Sequence, residues 1–306
     1  MDSKHHELMK RIGFNPQDIM DEGAFNYLYL GDYKGRKSIL KVWNTGITYA
    51  RQRFEADLHA YNGKNLPTSE LLNYGESPPW LIYKYVEGTS LKKMIAQGAT
   101  VDFDSVIEKI VRTHSVRSSS MSLEEYFRQF SPFVDDRFRK IEQLRPDEDE
   151  TFHMIHRALL LHRTYLEERA REYATDIEIR QVHGDFNDSN VIMDKKGVCR
   201  VFIDWEFSHL GSPFLDISQM TNKGDRLSQV ILDKYFSAGN VRHDQYLYDF
   251  FVNYFLFKIA LNHLAYKDMA ANRNPLRERI VSSKIRRILQ LHGFNPNIDV
   301  ERIVAF

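Results

Sequence analysis

The octapeptide HGDFNDSN at residues 183–190 gathers a histidine, two aspartates and amide side chains into eight positions, and the chain soon returns with VFIDWEF at 201–207. These are either two polar turns of a globular protein or the two halves of a site that holds a metal ion and a phosphate. Phosphoryl transfer from a nucleotide asks little covalent chemistry of a protein. It needs a metal to hold and neutralise the phosphates, a cation on them, and a carboxylate to orient the acceptor hydroxyl. Mg²⁺ takes oxygen ligands and keeps part of its water, so one carboxylate and one amide oxygen, completed by phosphate oxygens, make a sufficient protein share of its shell. Asp204 and Asn190 suit that share. A second carboxylate, free of the metal, would take the acceptor proton late in a loose transition state, and Asp185 is the candidate.

Such groups need strand ends and fixed loops to hold them. Residues 24–44, AFNYLYLGDYKGRKSILKVWN, carry two β-rich runs around YKGRK, the pattern of an antiparallel hairpin. TYARQRFEADLHAYNG follows, with Tyr49, Phe54, Leu58 and Tyr61 spaced as one face of an amphipathic helix that ends at Gly63. LPTSELLNYGESPP is rich in turn residues, and WLIYKYV then reads as a buried strand running into Glu87 and Gly88. From GTSLKKMI to about residue 176 the patterns are helical, with RPDEDE at 145–150 as a charged break. IEIRQV, NVIMD, the turn KKG and VCRVFID read as short strands flanking the polar residues, and helices fill the rest. Polar groups at strand ends sit where a scaffold fixes loops that carry chemistry.

Composition narrows the class. A chain of 306 residues with 42% hydrophobic and 27% charged residues is globular and long enough for one large or two ordinary domains. Lys plus Arg equals Asp plus Glu at 42 each, so there is no global basic field for nucleic acid or anionic lipid. The single cysteine, Cys199, rules out an intramolecular disulfide and a cysteine-type zinc site, and reads as a buried strand residue. MDSKHHELMK has no signal-peptide core, and the most apolar run, 250–266, is broken by Asn253, Lys258, Asn262 and His263. The expectation is a cytoplasmic protein without membrane or nucleic-acid partners.

His-Gly-Asp, four residues, Asn, then two apolar residues and Asp-Trp-Glu resembles the aminoglycoside phosphotransferase and choline kinase superfamily, small-molecule kinases with a protein-kinase-like fold. The resemblance covers most of the chain. It implies that Lys41 in SILKVW holds the α and β phosphates and pairs with Glu55 in RQRFEADLHAY. EGAFNYLYL is similar to the nucleotide-covering loop, with Gly23 allowing close backbone approach and Asn26 donating to phosphate. WLIYKYVEGTSL resembles the strand and hinge that grip adenine, with backbone groups from Lys84 through Tyr85 to Val86 on the base and Ile82 or Tyr83 lining it. GSPFLDIS matches the element whose Asp216 braces the catalytic loop.

Blander readings stand beside these. Lys37 competes with Lys41 in register, and His183, before a tight glycine turn, reads as a structural hydrogen-bonder rather than a base. Glu206 either reaches a second metal or partners a basic side chain, and Asp188 and Ser189 are loop participants or solvated turn residues. The aromatics of 246–266 read as a buried helix. The histidines at 153, 156, 162 and 183 lack companions at zinc spacing.

The resulting expectation is an α+β, two-lobed protein-kinase-like fold with a small antiparallel-sheet N-lobe and a larger helical C-lobe. The N-lobe spans 1–87, with the hinge at about 83–88. The C-lobe spans 88–306, with a helical insertion at about 102–176, catalytic and metal loops at 183–206 and C-terminal helices. The resemblance implies a kinase using Mg²⁺ and ATP or GTP to phosphorylate a hydroxyl of an antibiotic or metabolite. Residues 207–306 hold about 13 Lys plus Arg against about 9 Asp plus Glu, which places an aminoglycoside, a polycation, second. RPDEDE with Glu124, Glu125, Asp135 and Asp136 would reverse that order if they closed over the site. A protein kinase is weakened by HGD and IDWE in place of His-Arg-Asp and Asp-Phe-Gly. A non-catalytic nucleotide-binding module is weakened by the presence of Lys41, Asp185, Asn190 and Asp204 together.

Overall fold

A computed structural model describes residues 3–22, 26–43, 66–76, 78–116, 118–143, 149–222, 225–239, 241–266 and 275–305. The helix expected at 48–63 lies outside them. The chain forms two compact units, each assembled from two stretches: Met1–Ser118 with Arg180–Arg242, and Ser119–Ile179 with His243–Phe306.

The first unit carries a five-stranded antiparallel sheet in the order β1-β2-β3-β5-β4, built from Phe14–Glu22, Asn26–Tyr33, Arg36–Trp43, Leu71–Glu76 (β4) and Pro79–Lys84 (β5). The β2–β3 hairpin read from the sequence closes through Lys34 and Gly35, whose φ values of 53° and 75° make the mirror-image turn that matches strand twist. Alternation divides the sheet. Tyr29, Leu40, Val42, Trp80 and Ile82 pack with Leu8 and Met9 of helix α1, Ser3–Ile12. Leu28, Ile39 and Lys41 face the other way.

Two strands differ from the sequence reading. β1 contains Pro16 and several acids, and it pairs only with β2, through two register shifts. An edge tolerates proline and bulges, which erase the period-two pattern. β4 lies within the stretch read as turns, and it too is an edge strand with a shift between Leu71 and Asn73.

After the sheet come β6 (Thr89–Ser90), α2 (Leu91–Ala96) and α3 (Phe103–His114). Strand β7, Ser118–Ser122, then interrupts the region read as helical to 176. Strand β8 (Asp176–Val182) pairs with β11 (His209–Gly211), placing Val182 against His209. β9 (Val191–Met193) pairs with β10 (Cys199–Phe202) on one side and β6 on the other. The Cys199 thiol is buried, and burial pushes it up to about 12. Helix α7, Pro213–Thr221, starts with proline at its first turn and is buried along its whole length, and α8 covers Arg226–Ser237.

The second unit is helical: α4 (Leu123–Arg128), α5 (Ser131–Gln143), α6 (Glu150–Glu172), α9 (Gln245–Ala265), α10 (Pro275–Leu291) and α11 (Val300–Val304). Asp149 caps α6 and Asp244 caps α9. The aromatic run expected in a buried helix is α9. Its Phe250, Phe251 and Tyr254 meet Tyr126 and Phe127 edge to face. Among the described residues no helix is long and apolar enough to cross a membrane.

Candidate active site

The turn after β8 is built to hold one conformation. Gly184 has φ 78°, and a Cβ there would meet the Phe207 carbonyl oxygen at 2.1 Å, so no other residue fits. The buried Asp216 carboxylate, on α7, accepts the backbone N–H of His183 at 2.7 Å and of Gly184 at 2.8 Å. His114 Nε2 lies 3.1 Å from the same carboxylate, and its Nδ1 is 2.7 Å from the Tyr235 hydroxyl. Burial alone would raise the Asp216 pKa. The hydrogen bond and charge of His114, helped by His183, outweigh it and hold this carboxyl below the usual range. The loop that carries Asp185 is therefore tied to α7, α3 and α8.

His183 is buried, with Nε2 at 2.9 Å from the Ile203 carbonyl and Nδ1 accepting the Asp185 N–H at 3.3 Å. Both nitrogens are occupied, which gives this residue a structural part. Asn187 closes the loop on itself: it donates to the Asp185 carbonyl at 3.1 Å and accepts the Ser189 N–H at 2.9 Å.

Asn190 donates from Nδ2 to both the carbonyl and Oδ2 of Asp185, each at 2.9 Å. Those two bonds spend both amide hydrogens and leave the Oδ1 acceptor for other use. The Ile203 N–H bonds the Asn190 carbonyl at 2.9 Å, which brings Asp204 alongside. Asp204 itself is left-handed, φ 65° and ψ 59°, an uncommon conformation for a residue with a side chain and worth about 1–2 kcal/mol of strain.

Lys41 is the buried lysine of β3. Its Nζ lies 2.7 Å from Asp204 Oδ1, 3.1 Å from Glu206 Oε2, and 4.7 Å from the Trp43 ring centre. Its competitor Lys37 is exposed and stacks on the Tyr85 ring. Among the described residues no group of three or more His, Cys, Asp or Glu side chains could hold a metal ion. A cation here would have one carboxylate and one amide oxygen, and it would draw the remaining ligands from phosphate and water, which suits Mg²⁺.

These groups border one cavity of about 380 Å³, lined on its polar side by Asn26, Lys41, Thr68, Ser69, Asn190 and Asp204 and on its apolar side by residues such as Leu28, Tyr83, Ile192 and Phe202. Lys84, Tyr85 and Val86 also line it. Lys84 N–H is bonded to Glu70 O and Tyr85 N–H to Lys37 O, both at 2.9 Å. Asp185 is not among the residues that line the cavity, but its Oδ2 accepts a hydrogen bond from Asn190, which does. Gly23 and Glu55 lie outside the described residues. The hydroxyls of Thr68 and Ser69 escaped the sequence reading because they sit in its turn-rich stretch. His114 and Tyr235 escaped because His114's partners, Tyr235 and Asp216, are both remote from it in sequence.

The profile described as "Phosphotransferase enzyme family" matches residues 21–247. No curated protein matches the chain. Many solved structures share the fold. A thermostable mutant of aminoglycoside phosphotransferase APH(4)-Ia, in ternary complex with ADP and hygromycin B, superposes with a TM-score of 0.67 at 14% identity, covering 96% of this chain and 100% of that one. A choline/ethanolamine kinase family protein from Mesorhizobium loti gives 0.63 at 16% identity, with 98% and 99% covered. Macrolide 2'-phosphotransferase type I gives 0.60 at 14%, with 94% and 96% covered. At these identities the likeness concerns the fold.

Proposed function

The chain belongs to the phosphotransferase enzyme family, and from that premise we propose that it moves the γ-phosphate of ATP or GTP, with Mg²⁺, to a hydroxyl of a small molecule, an antibiotic or a metabolite. The observation that carries this reading is the convergence of Lys41, Asn190 and Asp204 on one cavity whose floor is bonded to Asp185.

The base lies against the hinge, where Val86 N–H donates to it, between the apolar side chains of Leu28, Ile192 and Phe202. Lys41 Nζ supplies positive charge to the phosphates, and Asn26 adds a donor. Asp204 and Asn190 Oδ1 would hold Mg²⁺, which would neutralise charge on the phosphate oxygens. Asp185, its Oδ2 fixed by Asn190, orients the acceptor hydroxyl. As the acceptor oxygen bonds to the γ-phosphorus and the bond to the bridging oxygen breaks, the carboxylate of Asp185 takes the hydroxyl proton. Positioning and fixed charge supply most of such catalysis. The hinge near 83–88 divides the nucleotide-covering N-lobe, 1–87, from a C-lobe, 88–306, in this reading.

An aminoglycoside acceptor ranks second. The hygromycin B complexes are those of aminoglycoside phosphotransferase APH(4)-Ia. Within the helical unit here, Glu124 pairs with Arg128, Asp135 with Arg163 and Asp136 with Arg137 and Lys140, so these acids already have cationic partners. The test is thermal unfolding with ATP or GTP, each with and without Mg²⁺, followed by a panel of hydroxylated antibiotics and metabolites. A metal-dependent rise with nucleotide is expected. No rise with either nucleotide would overturn the reading.

A further inference from the structure

Among the described residues two acids, Asp204 and Glu206, share the Lys41 ammonium, and they differ in kind. The Asp204 side chain is about one-third exposed and borders the cavity, whereas the Glu206 side chain is 3% exposed. Glu206 lies on the single turn Trp205–Phe207, next to the buried Trp205 indole, which donates to the Phe202 carbonyl at 2.9 Å. A carboxylate so enclosed is poorly placed to exchange ligands with a hydrated metal, but it is well placed to act on a buried ammonium 3.1 Å away.

We propose that Glu206 is a positioning residue for phosphate binding: it anchors Lys41 from behind the site, so that the lysine stays aimed at the phosphates when Asp204 is given over to the metal. This rests on the phosphotransferase reading above, and it assigns Glu206 to the lysine rather than to a second metal ion. The physical reason is geometric. A lysine has a flexible four-carbon stem, and an acid given over to a cation holds it less firmly. A second carboxylate in the protein interior, 3.1 Å from the ammonium, keeps it fixed in both states.

The experiment measures nucleotide affinity and its Mg²⁺ dependence by thermal shift and calorimetry for the wild type, Glu206→Gln, Lys41→Met and the double variant. Glu206→Gln is expected to weaken Mg²⁺–nucleotide binding about tenfold while leaving the Mg²⁺ concentration at half-effect unchanged. In the Lys41→Met background the same change is expected to do nothing further, because its effect runs through the lysine. An ATP-derived acyl phosphate, which modifies the lysine nearest the phosphates, is expected to label Lys41 less in Glu206→Gln. Glu206→Asp, which keeps the charge one methylene shorter, is expected to recover part of both and serves in place of the glutamine variant if that one does not fold. A shifted Mg²⁺ requirement, or an undiminished effect in the Lys41→Met background, would overturn the assignment. Wild-type protein that binds no nucleotide would instead bring down the phosphotransferase reading together with it.

Discussion

Asn190 grips Asp185 twice, once at the backbone carbonyl and once at carboxylate Oδ2, both at 2.9 Å. One side chain therefore holds the candidate base at two points and itself lines the cavity. Asp185→Ala is expected to lower phosphoryl transfer by about 10²- to 10⁴-fold and to leave nucleotide affinity nearly unchanged. Single-turnover kinetics beside calorimetric binding check this. Equal loss of both would make Asp185 structural.

Asp204→Ala removes a proposed metal ligand and one partner of Lys41 together. Nucleotide binding is expected to lose its Mg²⁺ dependence and to weaken about tenfold or more. Titration with nucleotide at low and high Mg²⁺ reads the outcome, and a retained metal response would place the cation elsewhere.

His114→Leu strips the buried Asp216 carboxylate of its imidazole partner. Breaking such a pair is expected to cost about 3–5 kcal/mol in urea unfolding. The pH dependence follows from the lowered pKa of Asp216. Its contribution is complete above the unfolded value of 3.8 and fades as pH falls through the folded value, because the unfolded chain then binds the proton more readily. In the variant the folded-state pKa of Asp216 moves back up toward the unfolded value, so this loss of stability in acid is expected to shrink.

His162 gives the opposite chemistry with the same sign. Its Nδ1 meets His292 Nε2 at 3.0 Å and its Nε2 meets the Asn253 carbonyl at 3.2 Å, and burial pushes the imidazole from 6.5 down to about 4. The unfolded chain takes up this proton near pH 6.5 and the folded one only near 4, so stability drains between those values by about 3 kcal/mol. His162→Gln is expected to flatten the stability change between pH 7 and 4 by that order. An unchanged slope would refute it.

Gly184→Ala places a methyl group against the Phe207 carbonyl at a positive φ. The loop must then move or the fold must loosen, and activity is expected to fall by more than stability alone accounts for. Hydrogen exchange at the His183 and Gly184 amides, both bonded to Asp216, reports which occurs.

Short-range signals made much of this legible in the sequence. The Lys34–Gly35 turn set the β2–β3 register and with it the face of Lys41, and the fixed spacing of Asp185 and Asn190 is local to one loop. What escaped was either irregular or distant. Pro16 and the bulges hid an edge strand. Nothing near His114 in sequence distinguishes it from a solvated histidine, because its partners, Tyr235 and Asp216, lie 121 and 102 residues away. Glu206 left two roles open because its burial, which separates them, is a property of tertiary packing.

The division of each compact unit into two stretches sets a timetable for biosynthesis. Lys41 and Asp204 are separated by 163 residues, and the first half of the helical unit is made between them. At ribosomal rates of about 5–20 residues per second, the lysine waits on the order of 10–30 s for its acid. During that interval the β-sheet has been synthesised but its buried ammonium has no Asp204 or Glu206 to meet, so the nascent chain must shelter a half-built cavity until residue 206 and the strands around it emerge.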